Sequence, residues 1–187
     1  CNPVLTEEFI FEVKEIQILN NGNLYKGLNR GIIKSENEII IKADRFIYNK
    51  ETNIIDAEGN VAIEDKINKY KIFSNQATYN KNLEQISTSG NSKAVEEEQK
   101  IITANKFSYN RKTNIIDAEG NVFMEDFIDD YKVKSEKFTY FKNDQKIITN
   151  GNTKAEIESK YYIESKDVTF NIEKNEFSSK NYSSVKD

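Results

Sequence analysis

The chain has no histidine among its 187 residues, which removes His-based acid–base catalysis, the usual hydrolytic triads and His-ligated metal centres. Its only cysteine is Cys1, so an internal disulfide and a cysteine-based metal site are excluded as well. No window approaches the run of about 18 apolar residues that a helix needs to cross a bilayer. No glycine-rich phosphate-binding loop is present, so any work done on a ligand draws its energy from elsewhere. The 27 basic residues are scattered among 31 acidic ones, the formal net charge is −4, and no basic block offers a footprint for DNA or RNA. Proline occurs once, at Pro3.

What is present points to strands. The chain is 37% hydrophobic and 31% charged, polar for a globular domain but too rich in Ile, Phe and Tyr for a disordered one. Ten Tyr and eleven Phe suit half-buried pleated surfaces, whereas the strong helix formers Ala and Leu are scarce.

The main signal is a repeat. The nine residues Asn53-Ile-Ile-Asp-Ala-Glu-Gly-Asn-Val61 recur unchanged as Asn114 to Val122, an offset of 61 residues. The same offset carries Ala43, Phe46 and Tyr48 onto Ala104, Phe107 and Tyr109, and Gly90, Asn91 and Lys93 onto Gly151, Asn152 and Lys154. Each long unit divides again, because Ala43, Tyr48, Gly59 and Asn60 are echoed 31 residues later by Ser74, Tyr79, Gly90 and Asn91. The period is therefore about 30 residues, with four copies, a truncated fifth containing Ser165 and Phe170, and a divergent opening unit from Glu8 to Lys34.

Within a copy the apolar residues alternate, which predicts strands with one buried face. A one-residue shift between Ala43 and Phe46 recurs in every copy and predicts a bulge or bend at a fixed place. Polar turns such as Asn49 to Asn53 and Asn110 to Asn114 separate two runs, so each copy reads as two short strands and a turn. Gly59-Asn60 lies inside the second run with parity kept, which predicts a kink or close backbone approach with no ligand.

The inward positions form a candidate lining: Ile41, Ala43, Phe46, Tyr48, Ile55, Ala57, Val61, Ile72, Ala77, Tyr79, Ile102, Ala104, Phe107, Tyr109, Ile116, Ala118, Val122, Val133, Phe138 and Tyr140. Ile63, Ser74, Ile86, Met124, Ser135, Ile147, Ile163, Ser165, Val168 and Phe170 share the parity and are expected in the same interior. Ordinary core packing explains such positions by itself. Asp56 with Glu58 and Asp117 with Glu119 alternate with the apolar residues and are expected on the solvated face. Glu96-Glu97-Glu98 lacks the spacing of a calcium loop and is expected to mark an exposed turn. No metal, cofactor or catalytic residue is assigned.

Ala43-Asp-Arg-Phe-Ile-Tyr48 followed by Asp56-Ala-Glu-Gly-Asn-Val61, with its second copy in Ala104 to Tyr109 and Asp117 to Val122, resembles the repeat of OstA-like lipopolysaccharide-transport proteins. The resemblance spans about residues 38–178 and implies an antiparallel β-jellyroll of tandem repeats, two facing sheets in a V shape, that carries acyl chains between the sheets. It implies a non-enzymatic periplasmic domain associated with the outer membrane. Its partners would be lipopolysaccharide, other jellyroll transport proteins joined by edge-strand pairing, and an outer-membrane β-barrel. Residues 1–37 would be a divergent N-terminal segment with opening strands, and 179–187 a polar tail or link to a further domain. The polar run ending at Asp187 favours the N-terminal domain of an LptD-like assembly protein over a free bridge protein. Under this resemblance Lys42, Arg45, Lys106 and Lys134 are candidates to meet lipid phosphates at the groove mouth.

For Cys1 three readings stay open: the lipid-bearing first residue of a mature lipoprotein, a cysteine paired with a distant partner, and a tag or fragment boundary. Drawing an acyl chain of about fourteen carbons into water costs on the order of 10 kcal/mol, so a carrier needs an uninterrupted apolar lining. Small residues such as Ala57, Ala118, Ser74 and Ser135 would leave room for the guest. The rival reading is a ligand-free structural or adhesive β-solenoid with a packed interior, distinguished by parallel coils in place of antiparallel strands.

Overall fold

The computed structural model describes residues 9–187 together with the backbone of Val4 and Leu5. Cys1, with the three readings it carries, and Glu8, at the head of the opening unit, lie outside the described residues. The chain divides into two compact units, Cys1–Ser92 and Lys93–Asp187.

The first unit holds β1 (Val4–Leu5), β2 (Phe9–Leu19), β3 (Leu24–Ser35), β4 (Ile39–Ala43), β5 (Arg45–Asn49), β6 (Ile54–Asp65), β7 (Tyr70–Asn80) and the larger part of β8 (Gln85–Glu96). The second holds the end of β8, then β9 (Lys100–Asn110), β10 (Ile115–Asp126), β11 (Tyr131–Phe141), β12 (Lys146–Asn150), β13 (Asn152–Ile157), β14 (Tyr161–Lys166), β15 (Thr169–Asn171), β16 (Glu176–Ser178) and β17 (Ser184–Lys186). Apart from one turn of 3-10 helix at Asn20–Gly22, the regular elements among the described residues are strands.

The fold is the antiparallel β-jellyroll of tandem repeats expected from the sequence. Sequential strands pair antiparallel, as in β6 with β7 and β10 with β11. The parallel coils of a solenoid are not what these pairings build.

Each copy holds two strands and a turn as expected, as in β9 and β10 on either side of residues 111–114, but the strands are long and not short. β7, β9 and β11 each run for 11 residues and β6, β8 and β10 for 12. Each is one long strand bent near its middle. The strand is interrupted at Asp44, dividing β4 from β5, at Gly151, dividing β12 from β13, and at Asp167-Val168, dividing β14 from β15. Elsewhere the shift is carried by two successive outward residues, as at Asn75-Gln76 in β7 and Glu136-Lys137 in β11.

The bend is built from the Gly-Asn pairs. Gly59 and Asn60 both have positive φ, +78° and +47°, and the β6–β7 register breaks between Glu58 and Val61. Two left-handed residues in succession leave the side-chain parity intact while turning the strand. A Cβ on Gly59 would stand 2.6 Å from Asp44 Oδ2, which is the close approach that excludes a larger residue. Asp44 N donates to Gly59 O at 2.9 Å, and Asn60 Nδ2 donates to Asp44 Oδ2 at 2.7 Å, pinning the corner across strands. In the second unit, Gly151 N donates to Asp167 Oδ1 at 2.8 Å at the equivalent corner.

The bend gives each unit two wings. In the first unit, one wing pairs residues 45–49, 54–58 and 76–80, and the other pairs 39–42, 61–65 and 70–74. Phe9 and Phe11 extend the second wing through their pairing with β3.

Candidate functional site

The candidate site is the apolar interior of each unit. Every residue named above as lining, from Ile41 to Tyr140, is buried, and none exposes more than 7% of its surface. Ile63, Ser74, Ile86, Met124, Ser135, Ile147, Val168 and Phe170 are buried with them. Ile163 and Ser165 are not, because β14 is followed by only three paired residues of β17, and both are half-exposed.

Aromatic rings close the interior from wing to wing. Phe9 of one wing meets Tyr48 of the other edge to face at 4.9 Å between ring centroids, and Tyr79 at 6.4 Å. Phe11 stacks on Tyr25 at 5.9 Å. In the second unit Tyr131 meets Phe170 across the wings at 5.3 Å, and Phe170 packs on Phe177 at 4.4 Å. Such pairs add about 0.5–1.5 kcal/mol each beyond the burial of their area. Burial pushes the phenols of Tyr131 and Tyr140 far above their ordinary range, so both stay neutral.

The interior is not purely apolar: the sequence placed Ser74 and Ser135 there, and the structure adds Thr88, Ser92, Thr149 and Thr153. Thr88 donates to Ser92 at 2.7 Å across the Gly90 bend, and Thr149 shares a 2.6 Å hydrogen bond with Thr153 across the Gly151 bend. Ser74 and Ser135 donate to the carbonyls of Gln76 and Lys137 at 2.8 and 2.6 Å. These hydroxyls sit at the bends, where the ladder leaves backbone groups to be satisfied.

Three strands, β6, β8 and β10, end on an inward carboxylate. Asp65 is fully buried and accepts from the N–H groups of Ile67 and Asn68, both at 3.1 Å. Asp126 accepts from Ile128 N at 2.8 Å and Asp129 N at 3.0 Å, and Lys100 Nζ lies 2.9 Å from its other oxygen. Burial alone would raise the Asp126 pKa, but the two N–H donors and the ammonium outweigh it and hold the carboxyl below the usual aspartate range. Glu96 is the third member, buried at the end of β8 and 3.1 Å from Lys142 Nζ. This corrects its assignment to an exposed turn: Glu97 and Glu98 form the turn, with positive φ, while Glu96 keeps inward parity. Extending the alternation past Ile63, Ala94 and Met124 would have found all three.

A second missed feature is an asparagine ladder along the turns. Tyr48 donates its hydroxyl to Asn53 Oδ1 at 3.0 Å, Asn53 Nδ2 donates to Asn82 Oδ1 at 3.2 Å, and Asn82 Nδ2 donates to Thr52 O at 3.2 Å. Tyr109, Asn114, Asn143 and Thr113 repeat the chain of bonds in the second unit. The signal was available as turn asparagines spaced 29 residues apart, Asn53 to Asn82 and Asn114 to Asn143.

The outer face carries the charges. Arg45 pairs with Glu58 at 2.9 Å, and Glu119 is held between Lys106 at 3.3 Å and Lys137 at 3.1 Å. Those two lysines draw the exposed Glu119 carboxyl below its ordinary pKa. Asp56 and Asp117 each accept a 2.6 Å hydrogen bond from a threonine, Thr78 and Thr139. Asp56, Glu58, Asp117 and Glu119 therefore lie on the outer face, as expected, and are engaged across strands. Lys134 lies over the Phe123 ring, 5.4 Å from its centroid. Arg45, Lys106 and Lys134 thus have partners on the outer face.

Bent antiparallel strands in tandem, closed over an aromatic interior, define a repeat-built jellyroll protein. Residues 11–118 match the family described as OstA-like protein, more than half of the chain, and the chain belongs to that family. No curated protein matches the chain. Among solved structures it is similar to the crystal structure of LptH, the LptA homologous periplasmic component of the conserved lipopolysaccharide transport device from Pseudomonas aeruginosa. The identity is 12% and the TM-score 0.33, over 81% of this chain and 95% of that one.

Proposed function

We propose that the chain is a periplasmic, non-enzymatic lipopolysaccharide-binding domain that shields acyl chains inside the jellyroll during delivery to, and assembly in, the outer membrane. The observation that carries this is the lining: apolar inward side chains on both wings of each unit, including Phe46, Tyr48 and Ile55 in the first and Phe107, Tyr109 and Ile116 in the second. Family membership supports it. With the interior closed by Phe9 on Tyr48 and Tyr131 on Phe170, an acyl chain enters by parting the wings and replacing ring contacts with its own methylenes. Because the exchange is apolar for apolar, its net cost is small compared with exposing the chain to water.

The reading extends to an N-terminal domain of an LptD-like assembly protein, docking to other jellyrolls by edge-strand pairing and to an outer-membrane barrel, with the lining residues as the acyl contacts. Methyl NMR with spin-labelled lipopolysaccharide acyl chains tests it. The methyl signals of Ile55 and Ile116 should broaden, while those of the exposed Ile67 and Ile128 stay sharp. Equal broadening at all four, or none, would overturn the proposal.

A further inference from the structure

We propose that the outer face of the first unit is a binding groove for a neutral oligosaccharide, separate from the apolar interior. A cavity of about 590 Å³ opens there, lined by Lys26, Arg45, Asp56, Glu58, Gln76 and Ser87 among others. A second cavity of about 520 Å³ adjoins it, sharing Glu58, Gln76 and Ser89 and continuing past Asn60 and Asn75 along the corner. The two together make an elongated trough lined mostly by outward residues, with Phe46, Ala57, Ala77 and Thr88 of the inward set also contributing to it.

Its chemistry selects the ligand class. The charges cancel, Lys26 and Arg45 against Asp56 and Glu58, which disfavours a phosphorylated or polyanionic guest. Amides and hydroxyls supply the remaining polar surface: Asn75, Gln76 and Ser87 carry donors and acceptors, while Asn60, Thr78 and Ser89 donate a hydrogen bond to Asp44, Asp56 and Gln76 respectively and present acceptor oxygens. Ile47, 42% exposed, provides an apolar platform beside them. Many paired donor and acceptor positions, little net charge and one apolar facet match the hydroxyls and C–H face of a sugar ring.

The repeat supplies an internal control. Sixty-one residues on, the same framework carries different outer residues: Gln76 becomes Lys137, Asn75 becomes Glu136, Ser87 becomes Ile148 and Ile47 becomes Ser108. There Lys137 joins Lys106 in clamping Glu119. The fold is satisfied by either set, so the neutral polar trough of the first unit is not a requirement of strand pairing.

The test titrates the full chain with maltopentaose, cellopentaose and chitopentaose, following backbone amides by NMR, with a sulfated pentasaccharide as the anionic comparison. At least one neutral sugar should bind tighter than about 1 mM, shifting the amides of Ile47, Gln76 and Ser89 and leaving Ser108, Lys137 and Asn150 unmoved. Gln76→Lys and Ser87→Ile, which install the second unit's residues, should each weaken binding at least about tenfold while the melting temperature stays unchanged. Competition by deacylated lipopolysaccharide would identify the sugar of a glycolipid as the source, and binding without such competition a free glycan. No shift from any neutral sugar at about 10 mM, an equal response to the sulfated one, or full affinity in both variants would overturn the proposal. None of these probes has an acyl chain, so the result is independent of lipid uptake by the interior.

Discussion

Phe9 and Tyr48 meet edge to face with their centroids 4.9 Å apart, joining the two wings of the first unit across its interior. Phe9 also reaches Tyr79 at 6.4 Å, so one ring from the opening strand braces two strands of the opposite wing. Phe9→Ala should cost about 3–5 kcal/mol of stability, as expected for a fully buried phenylalanine. Urea unfolding checks this, and a loss below about 1 kcal/mol would mean that the wings are held together elsewhere.

The corner glycines should not be equivalent. Gly120 has φ +81° and a Cβ there would stand 2.5 Å from Asn105, whereas a Cβ at Gly151, φ +90°, would meet nothing closer than 3.8 Å. Both alanine variants bear left-handed strain of about 1–2 kcal/mol, but only Gly120→Ala adds a clash at the bend. Paired thermal melts should rank Gly120→Ala as clearly the more destabilised, and equal melting temperatures would contradict this origin of the bend.

The asparagine ladder separates into two contributions. Asn114 has φ +54°, accepts from the Tyr109 hydroxyl and donates to Asn143. Asn114→Gly keeps the left-handed backbone and should lose about 1–2 kcal/mol for the two bonds. Asn114→Ala should lose roughly 1 kcal/mol more. If the two variants unfold at the same denaturant concentration, the backbone at this turn is unstrained and the ladder carries the whole effect.

Asp126 makes stability depend on acid. Its folded pKa lies below the ordinary 3.8, so its contribution is fully present above that pH and is lost as pH falls through the lower folded value. The stability difference between the native chain and Asp126→Asn should therefore be largest near neutrality and shrink as pH falls below 3.8. Denaturant unfolding across that range measures it, and a difference that grows in acid would have the wrong sign.

Much of the fold is legible because the repeat prints the alternation several times over. The step from Ala43 to Phe46, seen again from Ser74 to Ala77 and from Ala104 to Phe107, locates the bend and predicts which side chains turn inward. Period two cannot say whether a strand stops at its bend or runs on through it, since a bend that keeps parity leaves no trace in burial. That is why the strands read as short. Hydropathy hid Asp65, Glu96 and Asp126, because a carboxylate at an inward position looks like the end of a strand when it is the strand's buried cap. The turn asparagines look like ordinary turn formers, and their bonding across 29 residues emerges only when neighbouring turns stack.

The most direct test of interior lipid carriage is photocrosslinking with a probe amino acid at Ile116, fully buried in the second unit, against Glu119 on the outer face of the same strand as control. With purified lipopolysaccharide and folded protein, crosslinks should form at Ile116 and not at Glu119. Crosslinks at Glu119 alone, or at neither position, would contradict lipid carriage and return the interior to ordinary core packing.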